Sequence, residues 1–160
     1  MRTFRVSLVA AAVAALVATA AASALPAKIP FTGSYSGQAS TKVDGNLATI
    51  SATGTGKGTL IGASKLTGGG TGDSSQQPCV PFGGTGKLTG VAGTTISFKV
   101  AQTAQGCGDE GGHVFSLKGY ATVLKATGKL AKAKGTLKFT GVYDRDGGTF
   151  SVKFTGTLTK

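Results

Sequence analysis

Residue types that commonly perform catalysis are scarce in this sequence. Its 160 residues include 2 cysteines, 1 histidine and 6 acidic residues. The sequence has three arginines: Arg2 and Arg5 near its beginning, and Arg145. A Cys/His nucleophile would have His113 as its single possible base, and phosphate-clamping sites would lack the arginine forks that they favour. These scarcities favour a non-catalytic protein over an enzyme, and we expect it to need no cofactor and to bind no nucleic acid.

Long stretches without glycine are also missing. All 27 glycines follow residue 24, and the longest glycine-free stretch after that point is Thr94–Gln105. Within it, Ile96, Phe98 and Val100 alternate with other residues, as in a strand. Each glycine inside a helix costs about 1 kcal/mol relative to alanine, so helices of ordinary length are not expected. The absence of a Gly-X-Y period excludes a collagen-like fibre.

A single long apolar run occurs in the sequence, at its beginning. Arg2 and Arg5 flank the start of the run Val6–Ala22, and Ala22–Ala24 has the small-residue pattern of a cleavage site. A membrane anchor is the alternative, but the run is short, rich in alanine and followed by no basic flank. We expect residues 1–24 to be a secretory signal peptide. Residues 25–160 would then be one secreted domain, extracellular or periplasmic, with no integral membrane segment after cleavage. The alanine-rich signal and the lack of an N-glycosylation sequon favour a bacterial source.

Alternation of apolar and polar residues dominates the rest of the sequence. The tripeptide Phe-Thr-Gly recurs at residues 31–33, 139–141 and 154–156, each time in a stretch that would place phenylalanine inward. The clearest element is a hairpin from Leu137 to Leu158 around a tip rich in Asp and Gly. The pattern predicts an all-β fold, an antiparallel barrel of about eight strands. A two-sheet β-sandwich is the alternative.

Two polar, glycine-rich segments interrupt the predicted strands. Lys65–Pro81 and Gln102–Gly112 are expected to be long loops, and Gly54–Gly56 is expected to be a turn. Each long segment contains one cysteine. In an exported protein two cysteines pair by default, so we expect the disulfide Cys79–Cys107 to join these two loops.

Inward aromatic side chains are the strongest candidates for a binding site. They alternate with inward glycines on the predicted strands: Phe31, Tyr35, Phe98, Phe115, Phe139, Tyr143, Phe150 and Phe154. Large side chains beside very small ones fit either an interdigitated core or a cavity lined with aromatic rings. The function we expect first is binding of a small apolar or aromatic molecule inside the barrel.

Glycine-rich and acidic motifs provide weaker candidates. Gly106–Gly111 matches G-x-G-x-x-G, but a strand pattern follows it instead of the helix that a dinucleotide site needs. Asp109, Glu110 and His113 lie close enough in sequence to form a metal or acid/base site. Asp144 and Asp146 begin like a calcium loop that no later acidic residue completes. Solvated loops explain the same residues, and no metal site is predicted.

Lysine gives the chain an excess of positive charge. Without Arg2 and Arg5 the net charge falls from +11 to +9. The densest group of basic residues consists of Lys125, Lys129, Lys132, Lys134 and Lys138. Such lysines keep a threonine-rich sheet soluble, or they bind anionic polymers at a cell surface or in a matrix. The second role is our alternative function. The oligomeric state is not predicted.

Residues 126–136 read Ala-Thr-Gly-Lys-Leu-Ala-Lys-Ala-Lys-Gly-Thr. This segment is similar to the GTG-aromatic-x-x-A-x-G stretch of dirigent proteins and allene oxide cyclases, and Phe154–Leu158 resembles their closing strands. The resemblance implies a calycin-type barrel whose apolar cavity cradles a reactive small molecule. It also implies a third function, a cyclase-like isomerase with the loop 109–113 near the mouth. Leu130 replaces the aromatic residue of the family, and no pocket acid of the family has a matching motif, so no catalytic residue is carried over.

Overall fold

The protein is a closed antiparallel β-barrel. The computed structural model describes residues 26–160, so the predicted signal peptide Met1–Ala24 lies outside the described residues. The strands are β1 (Lys28–Asp44), β2 (Leu47–Gly58), β3 (Gly62–Asp73), β4 (Cys79–Gly90), β5 (Thr95–Gly108), β6 (Val114–Ala126), β7 (Thr136–Asp144) and β8 (Thr149–Thr159). Each strand pairs with the next, and β8 pairs with β1. This confirms the predicted eight-stranded barrel and excludes the sandwich.

Successive connections alternate between the two ends of the barrel, because every strand is antiparallel to its neighbours. The connections 45–46, 74–78, 109–113 and 145–148 lie at one end, which we call the mouth. The connections 59–61, 91–94 and 127–135 lie at the other, which we call the base. The connection 127–135 contains a 3-10 turn, Gly128–Leu130. Within the described part of the chain no helix is long and apolar enough to cross a membrane.

The base of the barrel is filled by side chains. Leu130 and Ala133, from the connection between β6 and β7, are buried there. They belong to one core cluster with residues from other parts of the barrel, which include Phe31, Ile61, Leu88, Ile96, Leu137 and Leu158. Thr94 is also buried, and its hydroxyl accepts a hydrogen bond from the backbone N–H of Lys129 at 3.3 Å. The base is therefore a packed plug that closes the barrel.

The two segments predicted to be long loops are mostly strand. Lys65–Pro81 includes most of β3 and the first residues of β4, and Gln102–Gly112 includes the end of β5. The predicted turn Gly54–Gly56 lies inside β2. These predictions were wrong because glycine has no side chain, so a glycine-rich strand shows no alternation of apolar and polar residues. In a closed barrel the backbone of every strand pairs on both sides, whatever its side chains are.

The disulfide between Cys79 and Cys107 is present. It joins two strands and not two loops, because Cys79 opens β4 and faces Cys107 across the β4–β5 ladder. The two Cα atoms are 3.9 Å apart. The predicted pairing is confirmed, and the predicted loop-to-loop placement is wrong. The bridge fixes the register of β4 and β5 at the mouth.

Candidate functional site

The half of the barrel near the mouth encloses an apolar cavity. Its volume is about 420 Å³, within the range of small-molecule pockets. Its wall includes alanine, valine and isoleucine side chains of β1, β2, β5 and β8: Ala39, Ala48, Ile50, Ala52, Val100 and Val152. Ser74, Gln77 and Arg145, all from mouth connections, are also in its wall. The cavity therefore reaches from the packed plug to the mouth.

The cavity exists because one side of its wall has almost no side chains. Gly68–Gly70 of β3 pairs with Gly84–Gly86 of β4, and both segments line the cavity. A Cβ atom at Gly70 would clash with the backbone of Gly83, so this position has no room for a larger residue. Because these glycines add no side chains to the interior, the side chains on the opposite wall have nothing to pack against, and the space between them stays open. The glycine-rich segment interpreted as a loop is therefore one wall of the candidate site.

Most of the aromatic residues predicted to face inward line this cavity. The lining members of that set are Phe98, Phe115, Phe139, Tyr143, Phe150 and Phe154. Phe154 lies at the centre of a cluster, with its ring centroid 5.5 Å from that of Phe98 and 5.9 Å from that of Phe139. Phe115 and Tyr143 form a second pair nearer the mouth, at 6.2 Å. Rings tilted at these separations pack favourably against one another, edge toward face.

Phe31 and Tyr35 are the two predicted residues that do not line the cavity. They are 1% and 2% exposed and lie in the core cluster. The Tyr35 hydroxyl and the Ser64 hydroxyl are hydrogen-bonded at 2.9 Å inside that core. Burial raises the pKa of Tyr35, and the bond to Ser64 opposes this rise in part. The barrel interior is thus packed at one end and hollow at the other.

Several lining residues were not among the predicted site residues. Phe82 and Leu117 line the cavity, and the Phe82 ring lies 6.2 Å from the Phe139 ring. Phe82 was missed because it follows the segment interpreted as a loop. Leu117 alternates inward with Phe115 on β6, so the period of two does indicate it. Arg145, at the mouth, is the one charged residue among those that line the cavity.

The acidic candidates lie at the mouth and outside the cavity wall. Asp109 accepts a hydrogen bond from the backbone N–H of His113 at 2.8 Å, and this bond lowers the pKa of the Asp109 carboxyl. His113 Nδ1 lies 2.7 Å from Asp146 Oδ2, which joins two neighbouring mouth connections. Asp144 accepts a hydrogen bond from the N–H of Gly147 at 3.0 Å. These carboxylates hold the turns that form the mouth.

No arrangement for metal chemistry is seen in the residues from 26 onward. Among them no group of three or more His, Cys, Asp or Glu side chains is placed to hold a metal ion. Glu110 is exposed in the same connection as Asp109.

The densest lysine group lies at and near the base, on β6, on β7 and on the connection between them. Most of the residues that line the cavity are apolar.

A scan against protein-family models and searches of curated proteins and of solved structures found no match to this chain. The resemblance to dirigent proteins and allene oxide cyclases stays a prediction.

Proposed function

We propose that this protein is an exported, non-catalytic binding protein that holds a small apolar or aromatic molecule in its barrel. The observation that supports the proposal most directly is the cavity of about 420 Å³ walled by aromatic rings. A cavity lined by such side chains does not hold water well, because water needs polar partners. An apolar molecule that enters it loses contact with water and gains contacts with the rings.

The position of the cavity supports reversible binding. It lies beside the mouth, and the opposite end is closed by Leu130 and Ala133. A ligand therefore has one route in and out, past Ser74, Gln77 and Arg145. The disulfide Cys79–Cys107 lies in the strands that form part of this mouth and agrees with an oxidising compartment.

The test uses N-phenyl-1-naphthylamine, a neutral aromatic probe that fluoresces more strongly in apolar surroundings. We expect the protein to bind it saturably. We expect Ala52→Phe to abolish binding, because Ala52 lines the cavity and a ring there occupies the space. The matched control is Thr53→Phe, which adds the same ring to the exposed outer face of β2.

Native mass spectrometry identifies what the protein holds when it is isolated from its producing cells. A mass increment that survives gentle conditions and is lost on unfolding would identify the natural ligand. If the probe does not bind, or if Ala52→Phe binds it as well as the unsubstituted protein does, the cavity is not the binding site and the proposal fails.

A further inference from the structure

Charge is segregated along the barrel axis. All 6 acidic residues lie at the mouth, on strand ends or in connections: Asp44, Asp73, Asp109, Glu110, Asp144 and Asp146. The base has exposed lysines at its strand ends, in its connections and beyond β8: Lys28, Lys57, Lys125, Lys129, Lys132, Lys134 and Lys160. Seven further lysines lie along the strands, and Arg145 lies in a mouth connection. The barrel therefore has a positive base and a negative mouth.

Exposed apolar side chains occur at the tips of the same basic end. Leu60 lies in the connection between β2 and β3 and is 48% exposed, and Val91 lies between β4 and β5 and is 66% exposed. Leu60 also has a φ of 61°, a conformation that disfavours a leucine. A glycine or an asparagine would fit that turn with less strain and without exposing an apolar surface. Leu60 is thus half exposed at a turn whose backbone conformation disfavours it.

The two apolar tips and the lysine-rich connection lie next to one another at the base. The tips are neighbours, because a Cβ atom on Gly90, next to Val91, would lie 2.6 Å from Cγ1 of Ile61, next to Leu60. The second tip is joined to the lysine-rich connection by the hydrogen bond from Lys129 N–H to Thr94. Lys57 is exposed at the end of β2, beside the first tip. The base thus combines apolar points with a basic surround.

We propose that the base of the barrel docks on a bilayer that contains anionic phospholipid. Leu60 and Val91 enter the interface between headgroups and acyl chains, while the lysines lie near the lipid phosphates. A hydrated polyanion offers the lysines the same negative charges as lipid phosphates. It has no apolar region into which Leu60 and Val91 can insert. The negative mouth is repelled by such a surface, so the cavity opens away from the membrane.

The proposal is tested by sedimentation with vesicles of equal parts phosphatidylcholine and phosphatidylglycerol, against vesicles of phosphatidylcholine alone. We expect binding to the anionic vesicles that weakens with salt. Lys129→Glu with Lys132→Glu should weaken it by at least about tenfold. The matched control, Lys118→Glu with Lys153→Glu, makes the same change in net charge on the side of the barrel and should change binding less than about twofold.

The apolar tips are tested in the same assay. Leu60→Ser with Val91→Ser should weaken binding by about tenfold, whereas Val142→Ser, on the exposed outer face of β7, should not. The chain contains no tryptophan. Fluorescence of Leu60→Trp should therefore report the tip alone and be quenched by brominated lipid, unlike that of Val142→Trp. All variants share residues 1–25, so any contribution of these residues to vesicle binding is the same in each comparison.

Two results would overturn the proposal. Equal losses for the two lysine pairs would mean that net charge alone attracts the protein. Unchanged vesicle binding after loss of both tips, with binding to polyphosphate that depends on Lys129 and Lys132, would mean that the base recognises a hydrated polyanion instead. Neither result bears on probe binding in the cavity, so the two proposals succeed or fail separately.

Discussion

Phe139 stands directly opposite Gly119 in the β6–β7 ladder, and its ring covers the glycine. A Cβ atom at position 119 would lie 2.7 Å from Cζ of Phe139 and 2.6 Å from Cβ of the buried Ala104. The same relationship recurs where Tyr35 faces Gly56 and where Phe98 faces Gly86. Inward rings lying on cross-strand glycines explain why the sequence alternates large and very small residues along its strands.

We expect Gly119→Ala to lower both stability and probe affinity. The added methyl has no room on the Ala104 side, so the Phe139 ring must move toward the cavity that it lines. The cost in the free energy of unfolding should be about 1–3 kcal/mol, as for other overpacked cores. Urea denaturation and titration with N-phenyl-1-naphthylamine measure the two effects.

The matched control for this prediction is Gly106→Ala, which adds one methyl at a strand glycine that lines the cavity. Its nearest contact would be Cδ2 of Leu117 at 3.3 Å, on a side chain that can adjust. We expect a smaller change in both measurements. Gly119→Ala combined with Phe139→Leu should regain part of the lost stability. Equal effects at positions 106 and 119 would contradict the explanation from the Phe139 ring.

The hairpin formed by β7 and β8 could be read from the sequence, and β3 could not. From Leu137 to Leu158 the alternation is regular, and the tip has the residues that a tight turn needs. In β3, Gly68–Gly70 have no side chains to show a period, and they are held in a strand by backbone pairing with β2 on one side and β4 on the other. The alternation of apolar and polar residues was sufficient to predict strands whose side chains form the core. It failed for β3, where backbone without side chains forms part of the cavity wall.

The candidate site shows the same division. Period-two alternation indicated which aromatic residues face inward, but not which half of the barrel is hollow. That depends on contacts between distant segments. Leu130 reaches the core from a connection and helps to fill the base, whereas glycines of β3 and β4 lie beside each other near the mouth. Phe31 and Phe154 occur in the same tripeptide context, yet only Phe154 lines the cavity.

We expect loss of the disulfide to lower stability more than any single surface change. Cys79 and Cys107 are separated by 28 positions, for which the chain-entropy model gives a contribution of about 3–4 kcal/mol. The double variant Cys79→Ser with Cys107→Ser should lose that amount in guanidinium denaturation. Reduction of the unsubstituted protein is the internal control and should give the same loss. A loss below about 1 kcal/mol would show that residual β4–β5 pairing already restricts the unfolded chain, so that the disulfide restricts it little further.

Tyr35 and Ser64 should respond unequally to removal of their hydroxyls. Ser64→Ala leaves the buried Tyr35 hydroxyl without its 2.9 Å partner, and we expect a cost of about 1–3 kcal/mol in the free energy of unfolding. Tyr35→Phe leaves Ser64 bonded to the carbonyl of Gly62 at 3.2 Å, so the cost should be nearer to about 1 kcal/mol. The double variant should resemble Tyr35→Phe. The reverse order in urea denaturation would show that water reaches the Tyr35 hydroxyl.

Asp109 should make the mouth sensitive to acid. Its carboxyl accepts a hydrogen bond from the N–H of His113, which holds its pKa below the ordinary value of 3.8. A depressed pKa in the folded state means that the stabilisation is present above about pH 3.8 and is lost as the pH falls through the folded-state value. Melting temperatures should therefore fall less steeply below that pH in Asp109→Asn than in the unsubstituted protein. Glu110→Gln removes a neighbouring charge from the same connection and should keep the original slope. Identical acid profiles for all three proteins would show that this hydrogen bond does not contribute to the stability of the mouth.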